Sequence, residues 1–131
     1  MPINNTIFIV AVSSFFLHIV DDFYLQGILA SMKQREWWEE HYNDKLYRHD
    51  YIVALLIHSM SWSFMVHLPT LIYLYLNNQN LNFFCFSLLW QSLCHALIDH
   101  AKANRHTINL ITDQIMHVGQ IIVVLITNLV L

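Results

Sequence analysis

The sequence predicts an all-α membrane protein: a four-helix transmembrane bundle with both termini outside and a polar cluster near the cytoplasmic face. Three observations lead there. The 131 residues are 56% hydrophobic and only 11% charged, with mean hydropathy +0.45, whereas a water-soluble domain carries about twice that charge. The apolar residues come in runs of about 20, the length that crosses a hydrocarbon core, not in the alternating ten-residue segments of a barrel. In lipid the backbone must satisfy its own hydrogen bonds, and a helix does so within one segment. All six Lys and Arg (Lys33, Arg35, Lys45, Arg48, Lys102, Arg105) fall in the first and third connections. In an up-down-up-down bundle these lie on one side, which the positive-inside rule makes cytoplasmic.

There is room for one membrane domain, residues 1–131. The first helix runs from about Ile3 to Ala30, and its start lacks both a basic flank and a small-x-small cleavage site, so it reads as a retained span and not as a signal peptide. Residues 31–50 are polar and carry Trp37-Trp38 among charges, which suits either a short interfacial helix or a solvated loop. The second helix spans about 51–76 and contains His58, Trp62 and His67. Asn77 to Asn82 is an uncharged turn. The third helix covers about 83–103, a short turn follows, and the fourth covers about 108–131. Cys85 and Cys94 lie nine apart in one helix, on nearly opposite sides, and read as packing residues.

Three of these helices carry a histidine and an aspartate four residues apart: His18 with Asp22, His95 with Asp99, and Asp113 with His117. That spacing puts each pair on one helix face. The second helix adds His58. The topology brings all seven to similar depth, just inside the cytoplasmic face. Ionisable groups at that depth face inward, paired or ligating. Imidazole and carboxylate are the ligand set of zinc, manganese or non-haem iron, so one or two divalent ions are expected, zinc favoured, with His18, Asp22, His58, His95, Asp99, Asp113 and His117 as ligands. Gln26, Gln114 and Gln120 are placed to hold those ligands by hydrogen bonds. Asp21 is read as pointing away from Asp22, His67 as a packing or helix-bridging residue, and Trp62 as a lid over the cluster or plain core.

The pattern His18-x-x-x-Asp22-Phe23-x-Leu25-Gln26 followed by Lys33, then His58, then His95-x-x-x-Asp99-x-x-Lys102, then Asp113-Gln114-x-x-His117 resembles a family of small bacterial and phage membrane proteins known as a domain of unknown function. The stretch Arg35-Glu36-Trp37-Trp38 and residues 50–69 resemble its phage-borne members. The resemblance implies the polar set and a membrane location, and no established activity. A looser likeness is to helical zinc phosphodiesterases and lipases, by analogy alone.

The function expected from these residues is a membrane-embedded, metal-dependent hydrolase of a phosphoester-type substrate, a lipid headgroup or a small cytosolic phosphate. Asp22 or Asp113 would act as general base, and Lys102 would hold the anion or else snorkel to the interface. The alternatives are a small ion or proton transporter, or a membrane-interaction module with a structural polar cluster and a protein partner at residues 31–50. The net charge of -3, with no basic tract, excludes nucleic acid. Inner-membrane lipids are the expected surroundings. A homo-oligomer is also expected, because four helices bury little surface.

Overall fold

A computed structural model describes residues 5–42 and 44–130, and among them every regular element is helical. Six α-helices follow in chain order: α1 (Asn5–Ile19), α2 (Leu29–Met32), α3 (Arg35–His41), α4 (Asp50–Leu76), α5 (Asn82–Ala103) and α6 (Leu110–Leu129). A π-turn, Val20–Leu25, extends α1, and a 3₁₀ turn, Lys45–Tyr47, precedes α4. The four long helices pack into one bundle: α4 lies against α1, α5 and α6, and α6 also packs on α5 and α1.

The expected helix boundaries hold closely for the second, third and fourth helices. The first differs. Its apolar pattern predicts a helix continuous to about Ala30, but the helix stops near Leu25, because Gly27 takes a left-handed conformation at φ +49°. That conformation ends a helix and is cheap only for glycine. The polar segment then forms α2 and α3 in place of an unbroken loop, with the Trp38 indole N–H donating to the Met32 carbonyl at 2.6 Å. At the start of α6 the Asn109 side chain caps the Thr112 N–H at 2.9 Å, so the helix begins at Leu110, two residues later than expected.

Three helices are long and apolar enough to cross a membrane: Asn5–Leu25, Lys45–Leu76 and Leu110–Leu129. The helix α5 has the length but not the composition, because Gln91, His95, Asp99, His100 and Lys102 dilute its apolar residues. Length and composition thus give three of the four expected spans.

The distribution of polarity is inverted relative to a protein folded in water. Phe8, Phe16, Phe86, Leu97, Ile111 and Ile115 are all more than half exposed, while Ser14, Ser59, Ser63, His67, Thr70, His95, Asp113 and His117 are fully buried. A soluble monomer rarely leaves apolar surface on that scale facing water. The apolar core is small: Trp62, Val66, Ile121 and Val124, all fully buried, with Phe15 and Leu125 packed against them. Below this core, away from the charged connections, His67 on α4 meets the Ser87 hydroxyl on α5 at 3.0 Å, and Asn128 on α6 donates to the same hydroxyl at 3.0 Å. These contacts bridge three helices.

Candidate metal centre

The end of α1, the start of α4, the end of α5 and the start of α6 meet at one end of the bundle. Each delivers polar side chains inward. On α5 the residues Gln91, His95 and Asp99 recur every fourth position, which makes one buried stripe. On α6, Asp113, His117 and Gln120, at spacings of four and three, make a second buried stripe. His58 comes from the third turn of α4, and the π-turn supplies both Asp21 and Asp22.

Six of the seven expected ligand residues converge. Asp22, His58 and His95 form one group, His95, Asp99 and His117 a second, and Asp22, Asp113 and His117 a third, and within each group the candidate donor atoms all lie within 4.8 Å of one another. None of the six residues exceeds 6% exposure. The His117 Nε2 lies 3.4 Å from Asp99 Oδ1 and 3.3 Å from Asp113 Oδ1. The His58 Nε2 lies 3.4 Å from Asp22 Oδ1, 3.3 Å from Asp99 Oδ2 and 3.3 Å from His95 Nε2. Two ligand atoms each about 2.1 Å from a tetrahedral zinc stand about 3.4 Å apart. The separations therefore have the size of the edges of a coordination polyhedron.

The tautomer of His117 sharpens this. Gln120 donates through Nε2 to the Gln91 carbonyl at 3.1 Å and to Gln91 Oε1 at 2.9 Å, which fixes its Oε1 as acceptor. That oxygen faces His117 Nδ1 at 3.1 Å, so Nδ1 carries the hydrogen and, in the neutral ring, Nε2 presents a lone pair. The lone pair points among carboxylate oxygens, and neither His117 Nε2 nor Asp113 Oδ1 has a hydrogen-bond partner. Buried acceptors converging without a donor are costly, and a cation between them removes the cost.

His18 stands apart from the three groups. The Trp62 indole N–H donates to its Nδ1 at 2.8 Å, and its Nε2 donates to Gln114 Oε1 at 3.1 Å. Both nitrogens are occupied, and no lone pair remains for an ion. Through Gln114, whose Nε2 donates to Asp22 Oδ2 at 2.9 Å and to Asp113 Oδ2 at 3.1 Å, His18 orients two carboxylates. Gln26 reaches the Asp22 backbone carbonyl, not its carboxylate. Trp62 is both core and cover: it stacks on His95 at 4.1 Å between ring centroids, and His95 stacks on His117 at 4.2 Å.

Two residues join the site that the sequence reading did not place there. Asp21 is 1% exposed, accepts from the Ser61 hydroxyl at 2.6 Å, and lies 3.8 Å from His58 Nδ1. It was read as pointing away, but a residue three after His18 lies on the same helix face as one four after it, and that spacing was the available signal. Lys33, from the loop after α2, is buried at 7% exposure with its ammonium 2.6 Å from Asp99 Oδ2. Its place rests on a chain reversal at Gly27, which no local spacing announces. Lys102 donates to Asp113 Oδ2 at 2.7 Å and is one-third exposed, so it forms the rim of the cluster, paired with a carboxylate.

A family described as a protein of unknown function (DUF3307) matches residues 10–131 of the sequence. Neither the curated proteins nor the solved structures contain a match.

Proposed function

The chain belongs to the DUF3307 family, whose function is unknown, and from its buried His/Asp cluster we propose that it is a membrane-embedded, metal-dependent hydrolase of phosphoester-type substrates. One observation supports this reading above the others: His117 Nε2 faces Asp99 Oδ1 and Asp113 Oδ1 at 3.3–3.4 Å, and neither His117 Nε2 nor Asp113 Oδ1 has a hydrogen-bond partner. Such a donor set belongs to a divalent ion, with zinc ahead of manganese and iron.

A bound ion would supply a water of lowered pKa and polarise the substrate oxygen. The protein's own groups do the rest. His58, His95, Asp99 and His117 hold the centre. Asp22 or Asp113 takes the proton of the attacking water as the new P–O bond forms, and returns it to the leaving oxygen as the ester P–O bond breaks. Gln114 holds both carboxylates, and Gln120 fixes the ring of His117. Lys102, the most exposed polar member, marks the mouth. With all basic residues in two connections on one side, the mouth opens to the cytoplasm, and an inner-leaflet headgroup or a small phosphate is the substrate class that reaches it. In this reading α5 is a fourth span, polar because it carries the centre, and both termini lie outside.

Elemental mass spectrometry of the detergent-purified protein, beside the His95→Ala/Asp99→Ala double variant, tests the reading. The wild type is expected to hold zinc, manganese or iron and to cleave p-nitrophenyl phosphate, and the double variant to do neither. Metal without cleavage of phosphoesters removes the hydrolase reading, and a wild type free of metal removes the centre.

A second reading, a small proton or ion transporter, has one observation of its own. The contacts of His67, Ser87 and Asn128 carry polarity into the half of the bundle away from the cluster. Uptake into protein-containing vesicles, lost in His67→Ala and retained in His95→Ala/Asp99→Ala, would favour it.

A further inference from the structure

The oxygens of the two central carboxylates are divided between different partners. Asp99 and Asp113 each turn Oδ1 toward His117 Nε2. Each turns Oδ2 toward an ammonium: Asp99 to Lys33 at 2.6 Å, Asp113 to Lys102 at 2.7 Å. The Oδ2 of Asp99 also lies 3.3 Å from His58 Nε2, in the half of the cluster that contains Asp22. Lys33 thus occupies the side of Asp99 that a second ion, seated between His58 and Asp22, would need.

Charge makes the same division. With the imidazoles neutral, Asp21, Asp22, Asp99 and Asp113 contribute four negative charges, and Lys33 and Lys102 return two positive ones. The balance is minus two, the charge of one divalent ion. A cluster this buried tolerates little uncompensated charge, because desolvation is costly and screening is weak.

Building on the metal reading above, we infer that the resting centre holds one divalent ion, at His95, Asp99 and His117, and that Lys33 and Lys102 are tethered cations standing in for a second. The second ion enters when a dianion enters with it. A doubly charged phosphate brings the balance to minus four, which two divalent ions match, and its oxygens accept from the ammoniums that turn away from Asp99 and Asp113. The substrate class follows: a phosphate ester that brings its charge and recruits the second ion, in preference to a neutral ester or amide.

The test counts ions. Purified protein is dialysed to equilibrium against micromolar zinc, with and without inorganic phosphate, and bound zinc is measured per chain. The wild type is expected to bind one equivalent in zinc alone and two with phosphate. The Lys33→Met/Lys102→Met variant, in which the balance is minus four without any anion, is expected to bind two in zinc alone. Should that variant not fold, the two wild-type samples decide. Two equivalents in the wild type without phosphate overturn the inference, and so does one equivalent in every sample, while both leave the metal centre standing. No zinc in any sample removes the centre itself.

Discussion

At the scale of single residues, the site depends on which nitrogen of a ring is free. Gln120 is a neutral side chain away from the convergence point, yet it directs the lone pair of His117 inward by taking the Nδ1 hydrogen. Replacing it with leucine keeps the volume and releases the ring. Groups that orient a ligand in this way are worth about 10–100-fold in metal affinity, so Gln120→Leu is expected to weaken zinc binding by that order, read by competition with a chromophoric chelator, with the helical circular dichroism unchanged. A loss no larger than for Gln79→Leu in the exposed turn after α4 would show that the ring is held by packing alone. His18 makes the contrasting case. Its nitrogens are used by Trp62 and Gln114, so His18→Ala is expected to lower stability more than ion stoichiometry. The pairs His95/Asp99 and Asp113/His117 were legible in the sequence because a spacing of four is a statement about one helix face. The division of labour between His18 and the others was not, since it rests on contacts to α4 and α6 that only the folded bundle defines.

At the scale of elements, the turn from α1 into the charged connection carries the most information per residue. The Gln26 N–H reaches back five residues to the Asp21 carbonyl at 3.2 Å, the bond of a π-turn, and the Gln26 side chain takes the Asp22 carbonyl instead. Widened turns of this kind are frequent at functional sites. Here the turn presents two adjacent carboxylates to one core. Gln26→Leu removes the donor to the Asp22 carbonyl, a loss worth about 1 kcal/mol, and is expected to lower the melting temperature in detergent and to weaken metal binding through Asp22. One residue on, Gly27 at φ +49° reverses the chain so that Lys33 can return to Asp99. A Cβ there would meet nothing closer than 3.9 Å, so the cost of Gly27→Ala is conformational, about 1–2 kcal/mol. The apolar period of the first helix was readable, but its end was not. Sequence pattern marks where a helix could continue to about Ala30, and the left-handed glycine stops it earlier.

At the scale of the whole molecule, the question is which surroundings suit a chain with so polar an interior and so apolar a surface. The exposed belt of Phe8, Phe16, Phe86 and Ile115 is what the hydrocarbon core accepts. Three helices qualify as spans by composition, and the fourth fails because its polar stripe faces the bundle and not the lipid. Composition counts every residue alike, whereas the bilayer meets only the outer face. For that reason a bundle that encloses a charged site looks less hydrophobic than it is. If α4 crosses, the turn at residues 77–81 and the segment at 35–48 lie on opposite sides of the membrane, and the positive-inside rule makes the cytoplasm the expected side of the latter. Single cysteines at Gln79 and Glu40, in a chain with Cys85 and Cys94 changed to alanine, resolve this in intact cells with a membrane-impermeant maleimide. Gln79→Cys is expected to label from outside, and Glu40→Cys only after the membrane is opened. The reverse pattern would turn the mouth at Lys102 to the outside and deliver external phosphates to the site. Labelling of both from one side would mean that α4 does not cross, and the polar cluster would then lie in the bilayer interface with a route to water at every step of its chemistry.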